Sequence, residues 1–274
     1  MNEHEMAKTK AAATYNTAAD YFDHPVSSFW HCFGRQTIER MALRPGESVL
    51  DVCSGSGGSA LPAAEQVGPK GKVIAADLAE RLIALAKAKA EVKKLDNIEF
   101  RVADMLDLGY PDGSFDAVVC VFGIFFVPDM AAALKELWRM VKPGGRLAIT
   151  TWGPDLFEPA NSAFWNAIGN VRPDLQRSFN PWDRISKPSG LRDLFAEANI
   201  DIHTDEILAE SGIHALSSPD DWWSIAMGSG YRGTLAQLDA EMFERVRNAN
   251  LSCLHREQVK SIKTNVVYSV ATKP

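Results

Sequence analysis

A short apolar run followed directly by a glycine-rich turn is the feature that most constrains this chain. Val49 to Val52 predicts a buried strand, and Gly55 with Gly57 predicts a tight turn into a helix that begins near Ser59. Glycine permits unusual backbone dihedrals and close approach of a ligand, while a helix N-terminus offers free N–H groups. We therefore predict that this turn holds a ligand with a carboxylate or phosphate group.

An acid at the end of the next strand narrows the class of ligand. The run from Lys72 to Asp77 predicts that strand, and residues 55–60 fit the pattern G-x-G-x-x-A, which several cofactor families share. An acid in this position commonly binds ribose hydroxyls, although Asp77 can also cap the helix that begins at Leu78. Together with the glycine turn, Asp77 favours an adenosine-containing ligand.

The charge balance of the chain argues for a small-molecule partner. Its 274 residues are enough for one domain with a full core, and the net charge is −6. No cluster of lysine and arginine supplies the phosphate-neutralising charge that nucleic-acid binding requires. We predict no nucleic-acid partner, and the sequence leaves the oligomeric state open.

The cysteines and the N-terminus indicate a reduced, cytoplasmic protein. Cys32, Cys53, Cys120 and Cys253 are far apart, with neither a C-x-x-C pair nor a neighbouring pair of histidines. We therefore expect neither a metal site nor a disulfide framework. The N-terminus lacks the apolar core of a signal peptide, and no stretch approaches the length of a membrane span.

Strand and helix patterns alternate along the chain. Further strands are predicted at residues 98–104, 115–122, 146–152, 200–208 and 264–270. Helices are predicted at residues 7–22, 27–43, 78–95, 130–141, 189–199 and 239–254. Alternation of this kind predicts an α/β fold with a doubly wound, Rossmann-like parallel sheet that binds ligands at the carboxyl ends of its strands.

Several stretches in this order resemble class I S-adenosylmethionine-dependent methyltransferases, especially the group that includes the ubiquinone and menaquinone C-methyltransferases. The resemblance rests on residues 49–57, 76–78, 103–105, 111–119 and 137–147. It implies a seven-stranded sheet with an antiparallel last strand. It also implies three regions, namely a helical cap (1–46), a cofactor-binding core (47–152) and a part with lid insertions, acceptor pocket and the last two strands (153–274).

The resemblance also assigns roles to individual residues. The glycine turn would hold the methionine part of S-adenosylmethionine, the acid after the second strand its ribose, and the acid after the third its adenine. The implied cofactor-binding residues are Asp51, Ser54, Gly55, Gly57, Asp77, Leu78, Asp104, Met105, Val121 and Phe122. Cys53 stands where the family pattern D-x-G-x-G-x-G has its first glycine.

Aromatic residues outside the core are candidates for the acceptor pocket. The candidate substrate-binding residues are Tyr21, Trp30, Phe125, Trp152, Trp222 and Trp223. Aromatic side chains at such spacings can equally pack against the sheet, and the pair at 222–223 can anchor an insertion to the core. We predict a small, apolar or aromatic acceptor.

Methyl transfer requires a base only if the acceptor must lose a proton. His31 on the second cap helix is our candidate catalytic residue, with His24 second, although a lone histidine is often structural.

The chain has no Asn- or Asp-Pro-Pro-Tyr motif and no Pro-Cys pair, so it does not resemble the nucleic-acid base methyltransferases. After Lys-Pro-Gly-Gly it continues to Thr150–Pro154 instead of a Glu-Phe-Ser-like ending, which predicts a substrate other than that of the quinone enzymes.

Two other functions fit parts of the pattern. An NAD(P)-dependent oxidoreductase would also use the glycine turn and Asp77. A relative that binds S-adenosylmethionine without transferring a methyl group would share every cofactor residue. Asp104 and the turn beginning at Lys142 favour the methyltransferase over the oxidoreductase.

Overall fold

The structure is a computed structural model that describes residues 3–177, 179–203 and 206–274. Ten α-helices form within these residues: α1 (Glu3–Phe22), α2 (Phe29–Met41), α3 (Ala60–Val67), α4 (Glu80–Lys93), α5 (Met130–Met140), α6 (Ala160–Val171), α7 (Pro188–Glu197), α8 (Pro219–Met227), α9 (Arg232–Leu235) and α10 (Ala240–Arg256). Nine strands accompany them: β1 (Ser48–Val52), β2 (Lys72–Asp77), β3 (Ile98–Val102), β4 (Phe115–Val121), β5 (Val141–Trp152), β6 (Ile207–Glu210), β7 (Ile213–Ala215), β8 (Ser261–Lys263) and β9 (Val266–Thr272).

Seven of the strands form one sheet in the order β3-β2-β1-β4-β5-β9-β6. The five strands from β3 to β5 in this order pair in parallel with one another. Strand β9 runs antiparallel to both β5 and β6. The strand order reverses between β1 and β4, which opens a crevice at their carboxyl ends. The predicted fold class, a mostly parallel seven-stranded sheet with an antiparallel last strand, is confirmed.

Alternate side chains of the strands face opposite sides of the sheet, and helices cover both. On one side α2 and α3 pack on Val49 and Val119. On the other side α5 and α7 pack on Leu50, Val118 and Leu147. The unbroken apolar runs of the central strands follow from this double cover, since both faces exclude water.

Two strand boundaries differ by more than two residues from those predicted. The fifth strand begins at Val141 instead of Arg146, because Lys142–Gly145 form a bulge where the pairing with β4 shifts between Phe115 and Ala117. The strand predicted at 200–208 begins only at Ile207, residues 200–203 are not in a strand, and residues 204–205 lie outside the described residues.

The inward face of α4 is narrower than its apolar residues suggest. Leu82, Leu85 and Val92 recur at helical spacing, yet the Val92 side chain is 85% exposed. The buried positions of this helix are Leu82, Ile83, Ala86 and Ala90. Small alanines occupy half of the face because the helix packs close to the sheet.

Helix α1 lies across the ends of the sheet where the crevice opens. It packs against α4, α8 and α9 and against the short turn Ile124–Phe126. These contacts join the predicted cap to both of the later parts, and the division at 46 and 152 stays a prediction. None of the helices in the described residues is long and apolar enough to cross a membrane.

Candidate functional site

The glycine-rich turn after β1 forms the floor of the site. Gly55 and Gly57 adopt φ angles of +54° and +90°, which other residues rarely take. The amide of Gly57 donates to the carbonyl of Ser54 at 2.9 Å, and the amide of Ser54 donates to the carbonyl of Ala76 at 3.1 Å. The turn is thereby fixed to the end of β2.

Asp77 joins this turn to the start of α4. Its Oδ2 accepts from the Gly55 amide at 2.8 Å, and its Oδ1 accepts from the Ala79 amide at 2.8 Å. Burial raises the pKa of Asp77 above its usual value, although these two amides and that of Leu78 favour the charged form. Each oxygen keeps a second lone pair, so the carboxylate can still accept from two hydroxyl groups.

Asp51 lies beneath the turn and is fully buried. Its Oδ2 accepts from the Ser59 hydroxyl at 2.7 Å, and its Oδ1 has no hydrogen-bond partner among the described residues. Burial raises the pKa of Asp51 to about 8, with the Ser59 hydrogen bond opposing the rise and the charge of Asp77 adding to it. An unsatisfied buried carboxyl group beneath a ligand-holding turn fits a positively charged ligand group above it.

Asp104 follows β3 and is contacted by two basic side chains of α1. The His4 ring nitrogen Nε2 lies 3.0 Å and the Lys8 Nζ 3.3 Å from Asp104 Oδ2, and the Leu106 amide donates to Oδ1 at 3.0 Å. Burial alone would raise the pKa of Asp104, but these three partners hold it below its usual value. The carboxylate is therefore charged at neutral pH and is covered by the end of α1.

A first cavity, with about 1040 Å³ of open space, runs between Asp77, Asp104 and α1. Eight of the ten predicted cofactor residues line it: Ser54, Gly55, Asp77, Leu78, Asp104, Met105, Val121 and Phe122. The other two are not among its lining residues. Asp51 turns towards Ser59 below the floor, and Gly57 packs on Leu61, whose Cγ would lie 3.0 Å from an added Cβ.

The backbone of Cys53 is in the left-handed conformation, which favours glycine. This conformation explains why the family pattern has a glycine at this position. Its φ is +56°, a value that costs a side-chain-bearing residue about 1 kcal/mol. Gly123 makes room for the extra atoms, because a Cβ added there would lie 2.4 Å from Cys53 Cβ and 2.7 Å from its Sγ. Cys53 still lines the first cavity, so the departure leaves the floor in place.

A second cavity of about 1050 Å³ adjoins the first. Five residues line both: Ala11, Tyr15, Trp30, Phe122 and Phe126. The remaining lining residues of the second cavity come from α1, from the segment after β5 and from loops near residues 177–182 and 229–231. We call the five common residues the shared wall.

Stacked aromatic rings support the shared wall. Phe122 and Trp152 stack with centroids 3.8 Å apart and an interplanar angle of 9°. The Trp30 ring contacts both rings edge-on, with centroid distances of 5.7 Å to Phe122 and 5.4 Å to Trp152. It also stacks on the Phe22 ring, with centroids 5.3 Å apart. The indole N–H of Trp30 has no hydrogen-bond partner among the described residues. This wall thus offers an aromatic surface to the second cavity.

The structure brings half of the predicted substrate residues to the second cavity. Trp30, Phe125 and Trp152 line it. Tyr21, Trp222 and Trp223 line neither cavity. Tyr21 is 38% exposed, whereas the two tryptophans are buried among α8 and α10. Trp222 donates its indole N–H to Asn250 Oδ1 at 2.9 Å, so it anchors the insertion to the core.

His31 also lies outside both cavities. Its Nε2 lies 3.2 Å from Asp23 Oδ1 and 3.5 Å from Lys89 Nζ, and its side chain is 41% exposed. His24 caps the next turn, where its Nδ1 accepts from the Val26 amide at 3.4 Å. The structure therefore brings neither His31 nor His24 to the two cavities.

Sequence reasoning missed several residues of the second cavity. Lys10, Arg177 and Tyr231 line it, and so do Tyr15 and Trp182. Lys10 looked like one polar residue of a surface helix, and Arg177 stands in a segment with no periodic pattern. The sequence did offer one signal for this cavity, since Arg177 is a basic residue within the aromatic-rich stretch after β5. Across the described residues, no group of three His, Cys, Asp or Glu side chains could hold a metal ion.

Comparison with known proteins agrees with this arrangement. Residues 6–180 match the ubiE/COQ5 methyltransferase family, beyond both ends of the resemblance seen in the sequence. Demethylmenaquinone methyltransferase of Lactococcus lactis is 37% identical over 144 residues, which are 53% of this chain and 57% of that protein. The chain thus spans little more than half the length of this relative.

A longer match is found with the ubiquinone/menaquinone biosynthesis C-methyltransferase UbiE of Cronobacter sakazakii. It is 32% identical over 196 residues, covering 71% of this chain and 74% of that protein. The solved structure of a SAM-dependent methyltransferase from Aquifex aeolicus shares the fold, with a TM-score of 0.54 and 22% identity over 69% of this chain and 89% of that one. This chain belongs to the ubiE/COQ5 methyltransferase family.

Proposed function

We propose that this protein transfers a methyl group from S-adenosylmethionine to a small aromatic acceptor of the quinone type. The observation that carries the proposal is the shared wall, where a cavity lined by two acids and a glycine turn meets an aromatic cavity. Two ligands that react with each other need adjoining cavities of this kind.

The residues of the first cavity fit S-adenosylmethionine. Asp77 would accept from the ribose hydroxyls, Asp104 from the adenine amino group, and the Gly55 turn would hold the methionine part. Bound in this way, the cofactor supplies a methyl group already activated by its sulfonium. The unsatisfied Asp51 carboxyl beneath the turn suits the positive charge of such a ligand.

The aromatic lining and the relatives both support the acceptor class. Two relatives carry demethylmenaquinone or ubiquinone/menaquinone biosynthesis in their names. A planar ring can lie between the stacked pair Phe122–Trp152 and the rings of Phe125 and Phe126 on the same cavity.

The chain's own part in the reaction is positioning and exclusion of water. Among the described lining residues of the second cavity there is no histidine and no carboxylate. Burial, with Asp77 and Cys53 nearby, raises the pKa of Tyr15 well above its usual value, and burial with Glu158 does the same for Tyr231. Both phenols stay protonated at neutral pH, so neither serves as a base. The acceptor must therefore arrive as a nucleophile, and the walls must align it in a dry site.

The alternative functions gain no support from the comparisons. The family match is to methyltransferases and not to NAD(P)-dependent oxidoreductases. A binding protein without transferase activity would have no use for a second cavity that meets the first. The predicted cytoplasmic location and the absence of a nucleic-acid partner stay predictions.

A labelled-methyl assay tests the proposal. The purified chain is incubated with methyl-labelled S-adenosylmethionine and a panel of reduced naphthoquinones and benzoquinones, and the organic extract is counted. We expect transfer to at least one quinol, with a strong loss in Asp104→Ala and none in Asp107→Ala, an exposed acid three residues away. Binding of S-adenosylhomocysteine without transfer to any aromatic acceptor would refute the proposed acceptor class.

A further inference from the structure

The second cavity carries positive charge without a counter-ion. Lys10 and Arg177 line it, and none of its described lining residues is an aspartate or glutamate. Neither cation forms an ion pair or hydrogen bond with a described residue. The chain as a whole is acidic, with a net charge of −6, so this local excess of positive charge runs against its overall balance.

Three carboxylates between residues 158 and 183 have partners of their own. Asp174 pairs with Arg172, and Asp183 accepts from the backbone and side-chain amides of Asn180. Glu158 accepts from Asn161 Nδ2 and from the Ser162 hydroxyl, both at 2.9 Å.

Arg177 is placed to meet a ligand. Its guanidinium carbon lies 5.6 Å from the centroid of the Trp165 ring, which limits the directions that the side chain can take. Partial loss of hydration lowers the pKa of Arg177 from its usual value, with Tyr231 opposing that shift. Arg177 and Lys10 are both exposed to solvent as well, so an anion that enters the cavity can reach them.

The two cations also lie away from the reacting end. The shared wall with the first cavity includes neither Lys10 nor Arg177, since both line only the second cavity. A ligand whose ring lies against the shared wall would direct a substituent towards them. A guanidinium binds a planar carboxylate or a phosphate through two parallel hydrogen bonds, and an ammonium adds a third.

We propose that the methyl acceptor is a quinone-type ring that carries an acidic substituent, whose carboxylate or phosphate group binds Arg177 and Lys10 while the ring lies against the shared wall. The inference rests on the proposed function and makes its acceptor more specific. In this arrangement the anion sets the position of the ring, and a neutral ring of the same shape binds without that anchor. Arg177 is then a specificity-determining residue and takes no part in the chemistry.

Matched probes test this without knowledge of the natural acceptor. Calorimetry compares 2-naphthoate, 2-naphthyl phosphate and naphthalene-2-carboxamide, each with and without saturating S-adenosylhomocysteine. We expect at least one of the two anions to bind about tenfold or more tightly than the amide, as one charge-assisted bidentate pair implies. The better of the two identifies the anionic group.

Variants show whether the preference arises at this site. Arg177→Gln should reduce the preference for the anion to about threefold or less, and Arg177→Lys should keep part of it. Arg245→Gln removes an exposed arginine with no ion pair among the described residues and should change nothing. Equal binding of the amide and both anions, or a preference that survives the double change Arg177→Gln with Lys10→Gln, would overturn the inference. Failure of S-adenosylhomocysteine to bind would instead refute the proposed function.

Discussion

Replacement of Asp77 by alanine should damage both the fold and cofactor binding, because the carboxylate serves both. It accepts from the Gly55 and Ala79 amides, each at 2.8 Å, and so fixes the glycine turn to the start of α4. Asparagine offers no conservative alternative, since its NH₂ group would face one of these two N–H donors.

The two effects can be given magnitudes. Hydrogen bonds to a charged group contribute about 1.5 to 3 kcal/mol each, but release of the partly buried carboxylate and rehydration of the amides offset part of that. We expect a loss of about 1 to 3 kcal/mol in the free energy of unfolding. Loss of the two ribose contacts should weaken S-adenosylhomocysteine binding by about 1.5 to 3 kcal/mol, or about ten- to hundredfold in Kd.

Urea unfolding measures the first effect, and calorimetry at a temperature where both proteins are folded measures the second. Asp96→Ala is the matched control, since this exposed acid lies between α4 and β3. An Asp77→Ala protein with the stability of the parent would show that the carboxylate does not fix the turn. Unchanged affinity in a folded variant would remove Asp77 from the cofactor site.

Three further changes test other parts of the site. The folded pKa of Asp51, about 8, lies above its unfolded value, so its contribution to stability is full below about pH 4, falls as pH rises towards 8 and is lost above that pH. In urea unfolding, Asp51→Asn should therefore gain stability over the parent between about pH 4 and 8, by at most about 1.4 kcal/mol per pH unit; a constant difference over this range would contradict this. His31→Gln should leave the methyl-transfer rate and its pH profile unchanged, because the ring lies outside both cavities. A hundredfold loss of that rate would show instead that His31 acts as a base. Gly34→Ala places a Cβ 2.4 Å from the Gly58 carbonyl, so thermal unfolding should show a loss of about 1 to 3 kcal/mol; an unchanged Tm would mean that α2 shifts freely.

The cofactor side was predictable because its signals are local in sequence. The φ angles of +54° and +90° at Gly55 and Gly57 demand glycine, and a strand that ends on Asp77 needs only its own apolar run to be recognised. Parallel order then brings the carboxyl ends together. Eight of ten expected residues therefore line one cavity.

The acceptor side depends on tertiary packing that no local pattern encodes. Neighbours on a helix point about 100° apart, so when Trp30 faces the cavities His31 faces outwards to Asp23. Trp152 and Trp222 look alike in sequence, but the indole N–H of Trp222 is bound by Asn250, 28 residues further along the chain. Burial alone does not distinguish a ring that contacts ligand from one that contacts core.

Helix α1 has a consequence for the timing of turnover. One end of it covers Asp104 through His4 and Lys8, and its middle lines the second cavity at Lys10, so both ligands lie behind one element. We expect α1 to lift when product and spent cofactor leave, because it lines both cavities. Because the ion pair of Lys8 with Asp104 is partly exposed, added salt weakens it. We expect an enzyme limited by release to turn over faster as ionic strength rises.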